Sequence, residues 1–464
     1  MSYSDCSVFA GLRGRIDRFL ATPYYILTAM VLSILSHLLS WELPVYTAFT
    51  LVWIYTALLG KDLLPLTPLF LFCYISPSVI NNPGRNAQSV FSGSTGVYVA
   101  ALAVLIALAT LWHVIRNRKQ FFRTRRALLP GILLLAFAYL LSGLGSVNYS
   151  SVVWRNLLFA AMQAAALVLP YLLLTGGVDW NDARRDYLAW VGFSAGGAVL
   201  LQVISCYLTQ NVVVDGVIMR ERIYTGWGMY NNMGLVLDMA IPFAFYLATK
   251  YRRGWIGTVV GSVFLVGTLL TCSRTSVLIG FLTYCLCVAL MLHYARNRKH
   301  NTIALVTVIV LGIAVLVLFR APLLRLFSRF LGMGADPSSR DVFFKEGWKL
   351  FVQSPIFGNS FYSPGYIPWD FSVVDAFSAL IPPRWHNTLL QILVSCGTAG
   401  VCAYGFHRWQ TVRLFLKRPG KENTFIGCAV GMLLLCSLLD CHFFNLGPTM
   451  FYSAMLAFAE RGEQ

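Results

Sequence analysis

Long apolar stretches separated by short polar segments recur along almost the whole chain. A membrane-spanning helix needs about 20 consecutive apolar residues, and this pattern predicts about 14 such helices. They lie near residues 20–40, 43–59, 63–80, 96–115, 128–145, 156–175, 187–209, 231–249, 255–272, 275–293, 302–319, 387–407, 424–439 and 447–460. Pro65 and Pro68 leave the division of the second and third stretches open. The sequence therefore predicts an all-α polytopic integral membrane protein with about 12 to 14 spans.

The composition agrees with a membrane protein. Of the 464 residues, 57% are hydrophobic and 12% are charged, whereas a soluble chain of this length needs roughly twice that charged share to cover its surface. Soluble enzyme folds and secreted disulfide scaffolds are therefore excluded. Arg13, Arg15 and Arg18 precede an apolar segment without a small-residue cleavage site, so this segment is expected to be the first membrane anchor.

The formal net charge of +17 is explained first by the orientation of the chain in the membrane. Cytoplasmic loops of membrane proteins carry an excess of Lys and Arg, and a cytoplasmic N-terminus places 24 of the 36 basic residues inside, among them Arg408, Arg413 and Lys417. Nucleic-acid binding is not needed to explain this charge. The other basic residues are expected outside, against the trend: Arg85, Arg155, Arg220, Arg222, Arg274, Arg320, Arg325, Arg329, Arg340, Lys345, Lys349 and Arg384.

One external segment is much longer than the other loops. It divides the chain into about eleven transmembrane helices at 1–319, an extracytoplasmic loop at 320–385 and the C-terminal transmembrane helices at 386–464. Within the loop, residues 323–334 have the pattern of an amphipathic surface helix. A second helix is predicted from Ser339 to Gln353. A loop of this length in a membrane protein is usually functional.

Two of the seven histidines are expected at the outer mouth of the bundle, His386 and His442. His386 lies beside Trp385 and Asn387, where the long loop re-enters the membrane. A neutral imidazole at this boundary can accept a proton from a hydroxyl. The alternative is an interfacial histidine that helps Asn387 to cap the helix and does no chemistry. Too few histidines and no acidic cluster are present for a metal site.

Arg274 lies between two apolar runs with almost no loop around it. A guanidinium at a membrane boundary normally needs an anionic partner, and a phosphate suits its planar pair of donors. The alternative is an arginine that extends to lipid headgroups. Arg220 and Arg222 precede a glycine-rich, irregular start of the next span, and Arg340 adds a third basic group to the outer face. Asp238 is an intramembrane carboxylate, hence either a site residue or the partner of an arginine.

Arginines and one histidine on the outer face suggest a reaction on a lipid-linked phosphate. The arginines would neutralise a diphosphate leaving group, and the histidine would deprotonate an attacking hydroxyl. Aromatic residues of the loop, such as Trp385, offer flat faces for sugar rings, although interfacial aromatic belts contain the same residues.

Four segments of the chain together resemble the bacterial O-antigen ligase and polysaccharide polymerase superfamily. They are RIYTGWGMYNNMGLVLDMAIPFAF from 222, TCSRTSVLIGFLTY from 271, SSRDVFFKEGWKLFVQSPIFGNSFY from 338 and WHNTLLQILVSCGTAGVCAYG from 385. The resemblance implies catalytic roles for Arg222, with Arg220 as the alternative, for Arg274 and for His386. From their positions on the outer face, Arg220, Arg340, Asn387 and Trp385 are expected to bind the substrate. The resemblance also implies metal-independent, inverting glycosyl transfer from an undecaprenyl diphosphate-linked glycan to a sugar hydroxyl, without a cofactor, in the bacterial cytoplasmic membrane.

Several functions are compatible with these sequence features. A polymerase would add the glycan to another lipid-linked repeat unit, whereas a ligase would pass it to a lipid A core, and the shared segments do not separate the two. A transporter or flippase for lipid-linked sugars would use a similar basic cavity and would be expected to show inverted repeats. A metal-dependent polyprenyl-phosphate glycosyltransferase would need an acidic pair on an external loop, and the external turns contain no DxD or ExD triplet.

Overall fold

The computed structural model describes residues 3–78, 93–147, 149–181, 184–328, 340–362 and 384–461, which form a helical bundle with two small hairpins. The helices are α1 (Tyr3–Leu20), α2 (Pro23–Leu39), α3 (Glu42–Leu58), α4 (Leu69–Ile75), α5 (Gly93–Arg116), α6 (Arg118–Arg123), α7 (Leu129–Leu140), α8 (Tyr149–Gly177), α9 (Asp186–Thr209), α10 (Tyr230–Lys250), α11 (Trp255–Thr271), α12 (Arg274–Tyr294), α13 (Arg298–Leu318), α14 (Arg320–Leu326), α15 (Arg340–Gln353), α16 (Thr388–Lys417), α17 (Lys421–Ser437) and α18 (Leu446–Arg461). The antiparallel hairpins pair β1 (Val213–Val214) with β2 (Val217–Ile218) and β3 (Tyr224–Thr225) with β4 (Gly228–Met229).

The predicted all-α, polytopic membrane fold is confirmed. Within the described ranges, seven helices are long and apolar enough to cross a membrane, namely α5, α8, α9, α10, α12, α13 and α16. The end of α1 and the whole of α2 meet at an angle of 72° and add an eighth span if they are taken as one. The helices α3, α11, α17 and α18 are slightly shorter and pack into the same bundle.

The predicted span at 63–80 is the main departure from the expected pattern. Pro65 lies in a short 3-10 turn, Pro68 precedes α4, and α4 itself has only seven residues. The missing N–H of each proline breaks the helical hydrogen-bond ladder. The result is a short buried helix and not a full span, and residues after 78 lie outside the described part of this stretch.

The helix α16 is longer than the predicted span at 387–407, and it includes three basic residues that were assigned to an internal loop, Arg408, Arg413 and Lys417. The guanidinium of Arg408 is 4.3 Å from the ring centre of Tyr404 and 4.5 Å from that of Phe443. It also donates a hydrogen bond to the hydroxyl of Tyr452. Aromatic faces attract a cation, which explains how this charge is held within the helix bundle.

A break in α16 anchors the segment that follows α15. Gly397 has a φ of +64°, which only glycine adopts readily. The backbone groups that the break releases find partners in this segment: Thr398 N–H donates to Pro355 O at 2.8 Å, and Asn359 N–H donates to Val394 O at 2.8 Å. This middle part of the long loop is thereby fixed against α16, near the break at Gly397.

The two ends of the bundle differ in their chemistry. At one end, Lys250 Nζ lies 2.5 Å from Asp186 Oδ1, and the Tyr246 hydroxyl donates to both Asp186 and Glu422. At the other end, α10, α12, α16 and α18 begin, while α11 and α17 end. We call it the histidine end because it carries His386 and the 3-10 turn that begins at His442.

The described part of the long loop packs on the histidine end. Helix α14 lies over the first hairpin, where the side chain of Arg325 covers Gly216. Helix α15 covers the start of α16 and ends at Gln353, as predicted. The second half of the predicted amphipathic helix, 329–334, and the expected capping position Ser339 lie outside the described residues.

Candidate active site

His386 and Asp440, distant in sequence, meet at the histidine end. His386 immediately precedes α16, Asp440 follows α17, and His386 Nδ1 lies 3.3 Å from Asp440 Oδ1. The backbone of His386 has a φ of +48°, a left-handed conformation that is uncommon outside glycine and that clusters at functional sites. The imidazole is 46% exposed, so it remains accessible to a substrate.

The contact with Asp440 sets the orientation of the imidazole. An ionised carboxylate only accepts hydrogen bonds, so Nδ1 of His386 carries the hydrogen and the lone pair is left on Nε2. The ring of Phe343, from α15, lies against the imidazole with the two ring centres 5.4 Å apart. A carboxylate that orients and stabilises an imidazole general base is the arrangement of catalytic triads.

Asp440 is held as an anion by the groups around it. Its Oδ1 accepts from the Cys441 N–H at 2.7 Å, and its Oδ2 accepts from Asn231 Nδ2 at 3.1 Å. Burial raises the pKa of Asp440, but the positive charges that His442 and His386 carry when protonated, together with hydrogen bonds from His386 and the Cys441 N–H, hold it well below the usual value for a carboxyl. Asp440 is therefore ionised at neutral pH and available to His386.

A second histidine lies on the far side of the same carboxylate. His442 is buried, its Nε2 lies 3.9 Å from Asp440 Oδ2, and its Nδ1 lies 3.1 Å from Asn232 Oδ1. Burial lowers the pKa of His442, and the attraction of Asp440 only partly opposes this effect. The sequence placed both histidines at one mouth of the bundle, and the structure joins them through Asp440.

Arg274 is one residue away from this hydrogen-bond network. The preceding Ser273 caps α12, and its hydroxyl donates to Asn231 Oδ1 at 2.8 Å. Asn231 in turn donates to Asp440. Arg274 is half-buried at the first position of α12, where the helix dipole adds to the positive potential of the guanidinium. The region around Arg274 at the histidine end therefore favours the binding of an anion.

The structure separates the two arginines of the preceding loop. Arg222 is exposed and donates to the backbone oxygen of Asn211 at 3.0 Å. The guanidinium of Arg220 lies 5.1 Å from the ring centre of Tyr230, and Tyr230 is close enough to Asp440 for the two groups to interact electrostatically. Arg220, and not Arg222, therefore faces the centre of the histidine end.

Arg384 lies beside these residues, although the sequence pattern assigned it no role beyond an external charge. Its Nη2 donates to Phe444 O at 3.1 Å and to Asn445 Oδ1 at 3.3 Å. The charge of Arg384 also acts on Asp440 and His442. The signal in the sequence was its position two residues before His386, but only the fold brings it against the turn after α17.

The remaining predicted site residues mostly support His386. Asn387 caps α16 by accepting from Leu390 N–H at 2.9 Å, and its amide donates to Leu438 O at 2.6 Å. The indole of Trp385 is only 3% exposed and packs with Phe343. Arg340 begins α15, and its side chain lies outside the described residues.

Asp238 lies deeper in the bundle, between α10, α11 and α12. It is fully buried, and its Oδ1 accepts from the hydroxyl of Thr268 at 2.8 Å. The same oxygen packs against Gly280, where a Cβ would lie 2.2 Å away. Asp238 is thus engaged by hydroxyl groups between helices. Across the described ranges, no group of three or more His, Cys, Asp or Glu side chains is placed to hold a metal ion.

The comparison with known proteins gives a family match for part of the chain. Residues 259–405 match the family model described as O-antigen ligase, which confirms the resemblance found in the sequence. The match runs from α11 into α16 and includes Arg274 and His386, whereas Arg220, Arg222 and Asp440 lie outside it. No curated protein matches the chain.

Proposed function

We propose that this multi-pass membrane protein, which carries an O-antigen ligase domain at residues 259–405, transfers a glycan from a polyprenyl diphosphate carrier to a sugar hydroxyl. The family indicates a membrane glycosyl-transferring enzyme. The donor that we propose is undecaprenyl diphosphate-linked glycan, and the favoured outcome is polymerisation of surface polysaccharide repeat units. The observation that carries the proposal is the His386–Asp440 contact, at the same end of the bundle as Arg274.

His386 acts as the general base in this proposal. Its Nε2 removes the proton of the acceptor hydroxyl while the hydroxyl oxygen attacks the anomeric carbon of the donor sugar. The bond between that carbon and the diphosphate oxygen breaks, and the carrier diphosphate leaves with the electron pair. The new imidazolium is stabilised by Asp440, which lies 3.3 Å from Nδ1. Attack opposite the leaving group inverts the anomeric configuration.

The arginines neutralise the charge that develops on the diphosphate. Arg274 is supported by the N-terminus of α12, and Arg220 lies over Tyr230 on the neighbouring side of the site. Arginine binds phosphate through two parallel hydrogen bonds, and donors fixed before the reaction stabilise the leaving group without reorganisation. We assign to Arg222 and Arg340 the weaker role of attracting the anionic donor toward the site.

The histidine end faces the outside of the cytoplasmic membrane in this proposal. The basic residues between successive helices are concentrated at the opposite end, including Arg116 to Arg126 and Arg296 to Lys299, and such clusters are retained in the cytoplasm. The lipid-linked donor therefore meets the site after its glycan has been moved across the membrane.

The surface glycan of a strain that lacks this gene separates polymerase from ligase. We expect single repeat units on an otherwise complete acceptor, and restoration of long chains by the wild-type gene. Long polymer that accumulates on the lipid carrier would instead assign a ligase. Repeat units that remain on the cytoplasmic side of the membrane would identify a translocase and would contradict glycosyl transfer.

A further inference from the structure

A chain of hydrogen bonds fixes which atoms donate around His442. It begins at Arg384, whose guanidinium has only donors. Asn445 must therefore present its oxygen to Arg384 Nη2, at 3.3 Å, and its amide nitrogen then donates to Asn232 Oδ1 at 3.0 Å. The orientation of both asparagine amides follows from one permanently charged group.

The tautomer of His442 follows from the same chain. Asn232 Oδ1 is an acceptor, so His442 Nδ1, which lies 3.1 Å from it, carries a hydrogen. In a neutral imidazole only one nitrogen is protonated, and Nε2 of His442 then has a lone pair. This lone pair faces Asp440 Oδ2 at 3.9 Å, longer than a hydrogen bond and as expected for two acceptors.

Charged groups surround His442 on both sides. Asp440 lies on its Nε2 side, Arg384 approaches from the segment before α16, and His386 shares Asp440 with it. Burial is the largest influence and lowers the pKa of His442, Arg384 and His386 lower it further, and Asp440 raises it. His442 is therefore neutral near neutral pH and takes up a proton when the pH falls.

We propose that His442 is a proton-sensing positioning residue, whose protonation at Nε2 withdraws Asp440 from His386. A protonated Nε2 becomes a donor toward Asp440 Oδ2, and the carboxylate then serves as counter-ion to His442. The imidazolium that forms on His386 during transfer then lies near a second cation, the protonated His442. Asp440 stabilises this imidazolium less, because the carboxylate is shared between the two histidines. This inference rests on the proposed function, because it assumes that His386 is the base.

Protonation of His442 therefore lowers the activity as the pH falls. The rate should decrease with falling pH more steeply in the wild-type protein than in a variant whose residue 442 cannot take up a proton. An enzyme on the outer face of a membrane would in this way respond sharply to external acidity.

The substitutions His442→Asn and His442→Phe test this role. The Asn amide preserves a donor toward Asn232 but cannot take up a proton, whereas Phe removes both. Each full-length variant is reconstituted in lipid vesicles with lipid-linked material extracted from the deletion strain, and transfer rates are measured from about pH 5 to about pH 8. We expect His442→Asn to be several-fold slower than wild type at about pH 8, and we expect its rate to fall less steeply than that of wild type as the pH decreases. We expect His442→Phe to be slower still at every pH.

Two results would overturn the proposal. One is an acid limb in His442→Asn that is as steep as that of wild type. The other is a His442→Asn protein that unfolds at the wild-type temperature but is inactive at every pH, which would mean a direct catalytic role. A separate result would contradict the proposed function itself, namely a His386→Ala variant that transfers glycan as fast as wild type.

Discussion

His386 Nδ1 and Asp440 Oδ1 lie 3.3 Å apart, between the segment that precedes α16 and the turn that follows α17. The contact joins two elements of the histidine end, because His386 lies just before α16 and Asp440 lies just after α17. It also decides which imidazole nitrogen faces the substrate. A base that is oriented in this way needs no rearrangement before it accepts a proton.

The substitution Asp440→Asn tests this orientation. An asparagine amide can present a donor to Nδ1 and thereby favour the tautomer with the hydrogen on Nε2, which cannot act as a base. We expect the turnover rate to fall about 10²- to 10⁴-fold, as for the loss of an orienting carboxylate or a general base. The measurement is the steady-state rate in reconstituted vesicles. Asp341→Asn, on the exposed face of α15, is the control and should stay within about twofold of wild type.

Arg220 and Arg222 form a matched pair for substitution by alanine. Arg220 is directed toward Tyr230 and the site, whereas Arg222 is exposed and bound to a loop carbonyl. We expect Arg220→Ala to lower kcat/KM for the lipid-linked donor by about 10-fold or more, because a charge-assisted phosphate contact is worth about 1.5–3 kcal/mol. We expect a smaller loss for Arg222→Ala. The reverse order would show that Arg222 turns into the site when the donor binds.

Gly397 and Gly405 provide a test of the break in α16. At Gly397 an added Cβ would lie 2.4 Å from Ile356 O on a backbone with a φ of +64°, whereas at Gly405 nothing lies within 4 Å. We expect Gly397→Ala to destabilise the fold by about 2–4 kcal/mol through the left-handed backbone and the clash. Gly405→Ala should be neutral or slightly stabilising. Thermal unfolding of the two purified variants compares them, and equal unfolding temperatures would contradict the described break.

Most of the fold could be predicted because a span of about 20 apolar residues is a local signal. The positions of α5, α9, α10 and α12 agree closely with the predicted stretches. Arg408 was wrongly predicted to lie in a loop, because a charged residue after an apolar run normally marks the end of a span. The contacts with Tyr404 and Phe443 that allow this arginine to be buried are known only from the fold. The short α4 was not predicted for a similar reason. The sequence alone does not show whether Pro65 and Pro68 interrupt a span or are accommodated within it.

The candidate site was only partly predictable for a related reason. His386 and Arg274 are conspicuous in the sequence because each lies at a boundary between polar and apolar residues. Asp440 and Arg384 do not stand out, since their importance comes from contacts between α16, α17 and the turn that follows. Tertiary contacts of this kind leave no periodic pattern along the chain.

The most direct test of the proposed function is transfer by purified protein in vesicles that contain lipid-linked glycan extracted from the deletion strain. We expect wild type and His300→Ala, a substitution of an exposed histidine at the opposite end, to convert the donor to glycosylated product and free carrier diphosphate. His386→Ala, equally folded, should leave the donor intact. Product formation by His386→Ala at the wild-type rate would contradict the role of His386 as the base for glycosyl transfer.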